Sequence, residues 1–252
     1  MSTSTSLPRL AVLIDADNMP ARYATAIFEE VSSLGEASIR RIYGDFSGGC
    51  PQGWKQDVLA SLAIVAHQHF ANTTGKNASD IALVIDAMDI LHSGLVSGFV
   101  LVSSDSDFTR LASRIREQGL DVFGIGEEKT PAAFVNACKR FIRAENLSSS
   151  DSTSSTVKSL QPEIETTKRV APVKQESPKR LIERAMDKIE QESDWYTLSQ
   201  IGNAIRATKP DFDPRNYGHT KFVTLVEKLN GFEIKRQGGT QVSVRKTSAK
   251  QK

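Results

Sequence analysis

Cysteine is scarce, with two in 252 residues, Cys50 and Cys138. Their spacing suits no metal site and gives no disulfide framework, so the expected home is a reducing cytoplasm. Long apolar runs are missing too. No stretch approaches the roughly 20 residues that a membrane span needs. The opening Met1-Ser-Thr-Ser-Thr-Ser-Leu-Pro8 lacks the basic and apolar blocks of a signal peptide, so no membrane partner is expected. His67, His69, His92 and His219 show no ligand spacing. His67 and His69 share one strand face, which suits packing.

Strong net charge is also absent, at +2, but the balance hides an asymmetry. Residues 1–147 carry 13 Lys and Arg against 17 Asp and Glu, a net of −4. Residues 148–252 carry 19 against 13, a net of +6. A basic second half beside an acidic first half is a weak pointer to a polyanion. Hydrophobic residues make up 39% of the chain, enough to bury a core.

The chain is organised around Leu10-Ala-Val-Leu-Ile-Asp-Ala-Asp-Asn18. This apolar run stops at two carboxylates and a carboxamide. Short apolar runs bounded by turn-formers read as buried strands. In open α/β sheets, ligands bind beyond the carboxyl ends of the strands. A helix is expected over Pro20–Ser33, with Pro20 in its first turn and Ile27, Val31 and Leu34 on its apolar side. Ala37–Tyr43 reads as a strand closed by Gly44-Asp45, Trp54–Leu62 as a helix, and Ile64–Phe70 as a strand. The turn-rich loop Asn72–Asn77 follows. Ser79 or Asn77 is then expected to cap a helix over Asp80–Leu91. Gly98–Ser104 is a second buried run, and it too stops at acids, in Ser103-Ser-Asp-Ser-Asp107. A helix over Phe108–Gln118 with Gly119 as its stop, a strand over Leu120–Ile125, a short helix over Pro131–Cys138 and an edge strand at Phe141–Arg143 complete the pattern.

Strands alternating with helices imply a mostly parallel sheet covered on both faces. The expected fold is therefore α/β, a three-layer sandwich over residues 1–147. Residues 148–177 are Ser- and Pro-rich and read as a flexible linker. Over 178–247 the pattern is helical at Leu181–Ile189, extended at Trp195–Ser199, and helical at Gln200–Thr208 and Lys221–Leu229. A hairpin of Phe232–Arg236 and Gln241–Arg245 follows. That order predicts a small winged helix-turn-helix domain.

Two strands thus end in acids, Asp15 and Asp17 after one and Asp105 and Asp107 after the other. Parallel strands put both pairs at one sheet edge, and Asp80 can face the same place. Like charges at close range repel unless a counterion or raised pKa values relieve them. Carboxylate oxygens suit Mg²⁺ or Mn²⁺. A cation so held polarises a phosphate and acidifies a bound water, which fits phosphodiester hydrolysis. Asn18 and Ser103 or Ser104 are candidates for orienting the carboxylates. Against this, Asp after a strand is often a helix cap or turn residue. Asp107 or Asp80 can cap its own helix. Asp86, within the helix, reads as part of a solvated face, and Lys76 as either a phosphate contact or an ordinary loop lysine.

Asp15-Ala-Asp-Asn18, Lys76-Asn-Ala-Ser-Asp80 and Ser103-Ser-Asp-Ser-Asp-Phe108 resemble the three acidic motifs of NYN domains, which are PIN-like ribonucleases. The resemblance covers about residues 8–146. It implies a PIN-like fold and metal-dependent RNA cleavage, with Asp15, Asp80, Asp105 and Asp107 as catalytic, metal-binding acids and Asn18 beside them. Residues 178–246 resemble the OST-HTH, or LOTUS, domain, through Trp195-Tyr-Thr-Leu-Ser-Gln-Ile201 and Asp211-Phe-Asp-Pro-Arg-Asn-Tyr-Gly218 above all. Such domains bind RNA or dock proteins. Arg215, Lys221, Lys228, Lys235, Arg236, Arg245 and Lys246 are candidate phosphate contacts, and Tyr217 and Trp195 candidate stacking residues. Trp195, Phe222 and Phe232 also suit a core role.

The expectation is a metal-dependent endoribonuclease using Mg²⁺ or Mn²⁺, with a tethered RNA-binding module. Two rivals stand beside it. One is a non-catalytic RNA-binding adaptor that keeps the acidic edge as scaffold. The other is a phosphatase or phosphotransferase, against which no Gly-rich phosphate loop follows the first strand and no Asp-x-Asp-x-Thr signature appears.

Overall fold

The structure is a computed structural model that describes residues 7–49, 51–69, 78–150, 176–191, 193–237 and 241–247. Two compact units emerge. One holds Met1–Ser148 together with Arg206–Asn216, the other Ser149–Ile205 together with Tyr217–Lys252. No helix among the described residues is long and apolar enough to cross a membrane.

In the first unit the chain runs β1 (Arg9–Asp15), α1 (Ala24–Leu34), β2 (Glu36–Gly44), α2 (Gln56–Ser61), β3 (Val65–Gln68), α3 (Ala78–Ser93), β4 (Gly98–Val102), α4 (Thr109–Glu117), β5 (Asp121–Gly126), α5 (Ala132–Ala137) and β6 (Arg140–Arg143). All six strands are parallel, in the order β3-β2-β1-β4-β5-β6. Alternation along β1 explains the layers. Leu10, Val12 and Ile14 join Ile27 and Val31 of α1 in one apolar cluster. Ala11 and Leu13 turn the other way, into a cluster with Leu83 and Ala87 of α3, Leu111 and Ile115 of α4 and Phe134 of α5. The central strand β4 is buried along its whole length, as a strand covered on both faces must be. The three-layer α/β architecture is thus the expected one.

Some ends differ from expectation. The segment after β1 starts as a 3-10 turn at Ala21–Tyr23, and α1 proper begins at Ala24. Asp107 does not cap the helix after β4. Asp105 instead caps the 3-10 turn Ser106–Phe108 that leads into it, its carboxylate accepting from the Asp107 amide at 2.9 Å. Ser79 lies inside α3 rather than before it. Glycine is required at Gly124, where an added Cβ would stand 2.5 Å from the Phe141 ring and 2.8 Å from the Cys138 sulfur.

In the second unit, α6 (Pro178–Lys188), β7 (Tyr196–Thr197), the bulk of α7 (Leu198–Thr208), α8 (Phe222–Lys228), β8 (Phe232–Gln237) and β9 (Gln241–Lys246) give helices followed by an antiparallel hairpin. The short β7 adds to β9, making a three-stranded sheet β7-β9-β8. Leu181, Ile182, Ala185 and Met186 bury one face of α6, the spacing read from the sequence. The expected linker falls mostly on residues 151–175, outside the described residues.

Candidate nuclease site

The strand order places the site. From β1 the chain winds outward through β2 and β3, crosses back along α3, and enters β4 on the other side of β1. Strand order therefore reverses between β1 and β4, whose ends pair as Ile14 with Val102. A crevice opens beyond the carboxyl ends of two strands at such a switch point. Asp15 ends β1 and Asp105 follows β4, so the topology itself brings the two acidic motifs side by side.

Asp15 is the anchor and is 1% exposed. Its carboxylate accepts from the Asp17 amide at 3.1 Å, the Asn18 amide at 3.3 Å, the Asn18 side-chain nitrogen at 2.8 Å and the Ser103 hydroxyl at 2.7 Å. Burial pushes its pKa up, and the hydrogen bonds pull against that shift. The Ser103 oxygen also accepts from the Asp105 amide at 3.0 Å. One buried hydroxyl therefore ties the β1 acid to the β4 loop. Ser104 does other work, its oxygen accepting from the Glu127 amide at 2.9 Å. Of the two serines considered from sequence, Ser103 is the orienting one.

Asp80 sits in the first turn of α3. Its pKa is raised to about 6, first by burial and then by the charges of Asp15, Asp105, Asp17 and Asp107. Acids from two separate stretches, after β1 and after β4, thus act on a carboxyl group carried by a third. Asp17 is raised by burial and by Asp15, while a hydrogen bond with Ser79 opposes the rise. Asp45, at the end of β2, also raises Asp17 and was not among the residues singled out from sequence. An acid directly after a strand was the available signal, the same one that marked Asp15.

Asp86 departs from the solvated-face expectation. It accepts hydrogen bonds from Arg41 and Tyr43 of β2 and is paired with Arg41. Burial alone would raise its pKa, but the Arg41 and Tyr43 hydrogen bonds outweigh it and hold the carboxyl below its ordinary value. Burial drives the Tyr43 hydroxyl upward, and Asp86 adds to that shift. Tyr43 pairs with Asp15 in the sheet register. This cluster therefore fastens α3 to the strand beside the site. Burial lowers the His67 pKa, and its ring lies 5.1 Å from that of Tyr43, a packing role.

The donor set is chemically right for a hard divalent cation, being carboxylates whose mutual repulsion already raises Asp80. Among the described residues, Asp15, Asp80 and Asp105 make no ion pair with a basic side chain. Equally, among the described residues no three acidic, histidine or cysteine side chains are grouped closely enough to hold an ion as they lie.

The expected nucleic-acid contacts separate into kinds. Lys76 lies outside the described residues. Arg215 is engaged elsewhere, bonded to Asp213 at 2.7 Å and to Glu30 at 3.1 Å, both within the first unit. Its guanidinium is held by carboxylates, so it drops out of the phosphate-contact set. Arg236 pairs with Glu227 of α8 at 2.6 Å. Lys221 and Lys235 are exposed, and Tyr217 is half-buried with its hydroxyl 3.4 Å from the Glu176 carbonyl. Trp195 is half-buried rather than in the core.

The NYN domain family model matches residues 9–149, and the OST-HTH/LOTUS domain model matches residues 172–244. No curated protein matches the chain. Among solved structures, the chain is similar to a protein of unknown function from Vibrio parahaemolyticus, with 18% identity and a TM-score of 0.47, over 56% of this chain and 94% of that one. Through residues 9–149, more than half its length, the chain belongs to the NYN domain family.

Proposed function

We propose that this protein is a metal-dependent endoribonuclease with a C-terminal module that binds RNA. NYN domains are typically ribonucleases that use divalent metals, and OST-HTH domains bind RNA. The observation that supports the proposal is that the charges of Asp15, Asp105, Asp17 and Asp107, from the ends of two neighbouring strands, all act on Asp80.

Asp15, Asp80, Asp105 and Asp107 are the residues that would hold Mg²⁺ or Mn²⁺. A bound divalent cation supplies Lewis acidity toward a phosphate oxygen and lowers the pKa of water. The protein's own part is positioning. The Ser103 hydroxyl and the Asn18 side chain donate to one oxygen of the Asp15 carboxylate, and the Asp17 and Asn18 amides donate to the other. Asp105, as a helix cap, is held by the Asp107 amide and by Ser103. Water attack on the phosphodiester with departure of the 3′-oxygen leaves a 5′-phosphate product.

The test is cleavage of single-stranded and structured RNA with Mg²⁺, Mn²⁺ or EDTA. Cleavage is expected with either metal, to be lost with EDTA, and to be lost in Asp105→Asn, where the amide oxygen still caps the helix turn. Full activity of that variant in Mn²⁺ overturns the mechanism. The spacing of the acids as they lie favours a second reading, an RNA-binding adaptor that keeps the acidic edge as scaffold. An adaptor shows neither tight Mn²⁺ binding nor chelator-sensitive RNA decay.

A further inference from the structure

The β7-β9-β8 sheet of the second unit has two unlike faces. Alternation puts Ile234, Arg236, Val242, Val244 and Lys246 on one side. That side is tied to helices, with Val244 fully buried, Arg236 paired with Glu227 of α8, and Lys246 paired with Asp187 of α6. The opposite side carries Glu233, Lys235, Arg245 and the buried Ser243. Here Trp195, just before β7, lies across both strands. The Arg245 guanidinium carbon is 4.8 Å from the Trp195 ring centroid, and the Lys235 ammonium 5.8 Å.

Cations at these distances are attracted by the negative face of the indole and lose some of their freedom. Arg245 is further held by Glu233 at 2.6 Å. Lys235 is exposed and makes no ion pair among the described residues. Over Phe232–Lys246 the hairpin holds four basic residues, Lys235, Arg236, Arg245 and Lys246, against the single acid Glu233. A half-buried tryptophan beside two cations, on the face opposite the one ion-paired to the helices, combines a stacking surface with phosphate neutralisation. Single-stranded RNA presents this pair of features, unstacked bases and a charged backbone.

We infer that Trp195, Lys235 and Arg245 form a single-stranded RNA site on the β7-β9-β8 sheet, in which an unpaired base layers onto the indole and guanidinium while Lys235 meets a neighbouring phosphate. The inference rests on the RNA-binding half of the proposed function and names the surface that performs it.

The experiment uses the full chain with Asp105→Asn and EDTA, so that RNA is not consumed. Binding of a fluorescein-labelled single-stranded RNA is followed by anisotropy across a salt series, and tryptophan emission of the unlabelled complex by fluorescence. Lys235→Ala with Arg245→Ala is expected to weaken binding about tenfold, and to lower the slope of log affinity against log salt by about 0.7, the share of the one phosphate contact on a single strand that Lys235 makes. Lys188→Ala, at the end of α6, serves as the control and leaves both unchanged. RNA is expected to quench emission in the parent chain but not in Trp195→Phe, because the other tryptophan, Trp54, is fully buried. Unchanged affinity and slope in the double variant, or quenching that survives Trp195→Phe, overturns the site while leaving RNA binding by another surface. A parent chain that binds no RNA at all overturns the site together with the binding half of the proposed function.

Discussion

The Ser103 hydroxyl and the Asp15 carboxylate, 88 residues apart in sequence, meet at 2.7 Å in the buried floor of the acidic site. The same oxygen receives the Asp105 amide, so a single side chain sets the spacing of two of the acids. Ser103→Ala removes one donor and one acceptor from a buried position. A loss of about 1–3 kcal/mol is expected in urea unfolding. RNA cleavage is expected to fall about ten- to a hundredfold, the usual cost of removing a group that orients a metal-binding residue. Unaltered stability and rate would mean that Ser103 is a bystander.

Asp80 predicts an inverted pH dependence for the metal-free protein. Its pKa rises from the ordinary 3.8 to about 6 in the fold. Between those values the folded chain binds a proton that the unfolded chain has released. Stability therefore falls as pH rises from 3.8 to about 6 and stays lower above that. Asp80→Asn removes the repulsion and should stabilise the metal-free protein at pH 7 while abolishing cleavage. Thermal melts with and without EDTA check both halves. A melt of the variant below that of the parent at pH 7 contradicts the repulsion.

Asp86 predicts the opposite sign. Its pKa lies below the ordinary carboxylate value because Arg41 and Tyr43 bond its charged form more strongly than burial opposes it. Its stabilisation is present above pH 3.8 and is lost as pH falls through the lower folded value. Asp86→Asn is expected to cost about 1–3 kcal/mol at pH 7, since Arg41 loses its charged partner. The penalty should shrink in acid. Denaturant titrations of both proteins at pH 7 and pH 3 measure it, and an equal penalty at both pH values counts against the assignment.

Arg215 separates stability from RNA binding. It bridges Asp213 and Glu30, and Asp213 is only 6% exposed. Arg215→Ala leaves a buried carboxylate with one fewer partner and should destabilise the chain by about 1–3 kcal/mol. RNA affinity at a temperature where both proteins are folded should not change. A loss of affinity without a loss of stability would return Arg215 to the nucleic-acid contacts.

Much of this molecule was written in local patterns. Leu10–Ile14 and Gly98–Val102 are apolar runs that only a strand buried on both faces can use, so the parallel sheet and its helical layers were legible. The acids that stop those runs were legible too, as residues at strand ends. So were the helices and hairpin of the second unit, from periodicity and turns. Pairing across long separations was not legible. Asp86 looked solvated because nothing near it in sequence reveals that Arg41 and Tyr43 arrive from another strand. Arg215 looked available because Glu30 is 185 residues away. Lys235 and Arg236 looked alike as neighbours, yet strand alternation sends one toward Trp195 and the other toward a helix. The chain by itself determined which residues are apolar, charged or turn-forming, and hence its elements. Only tertiary structure decided which charges neutralise one another, because electrostatic partners are chosen by distance in space, and packing sets that distance.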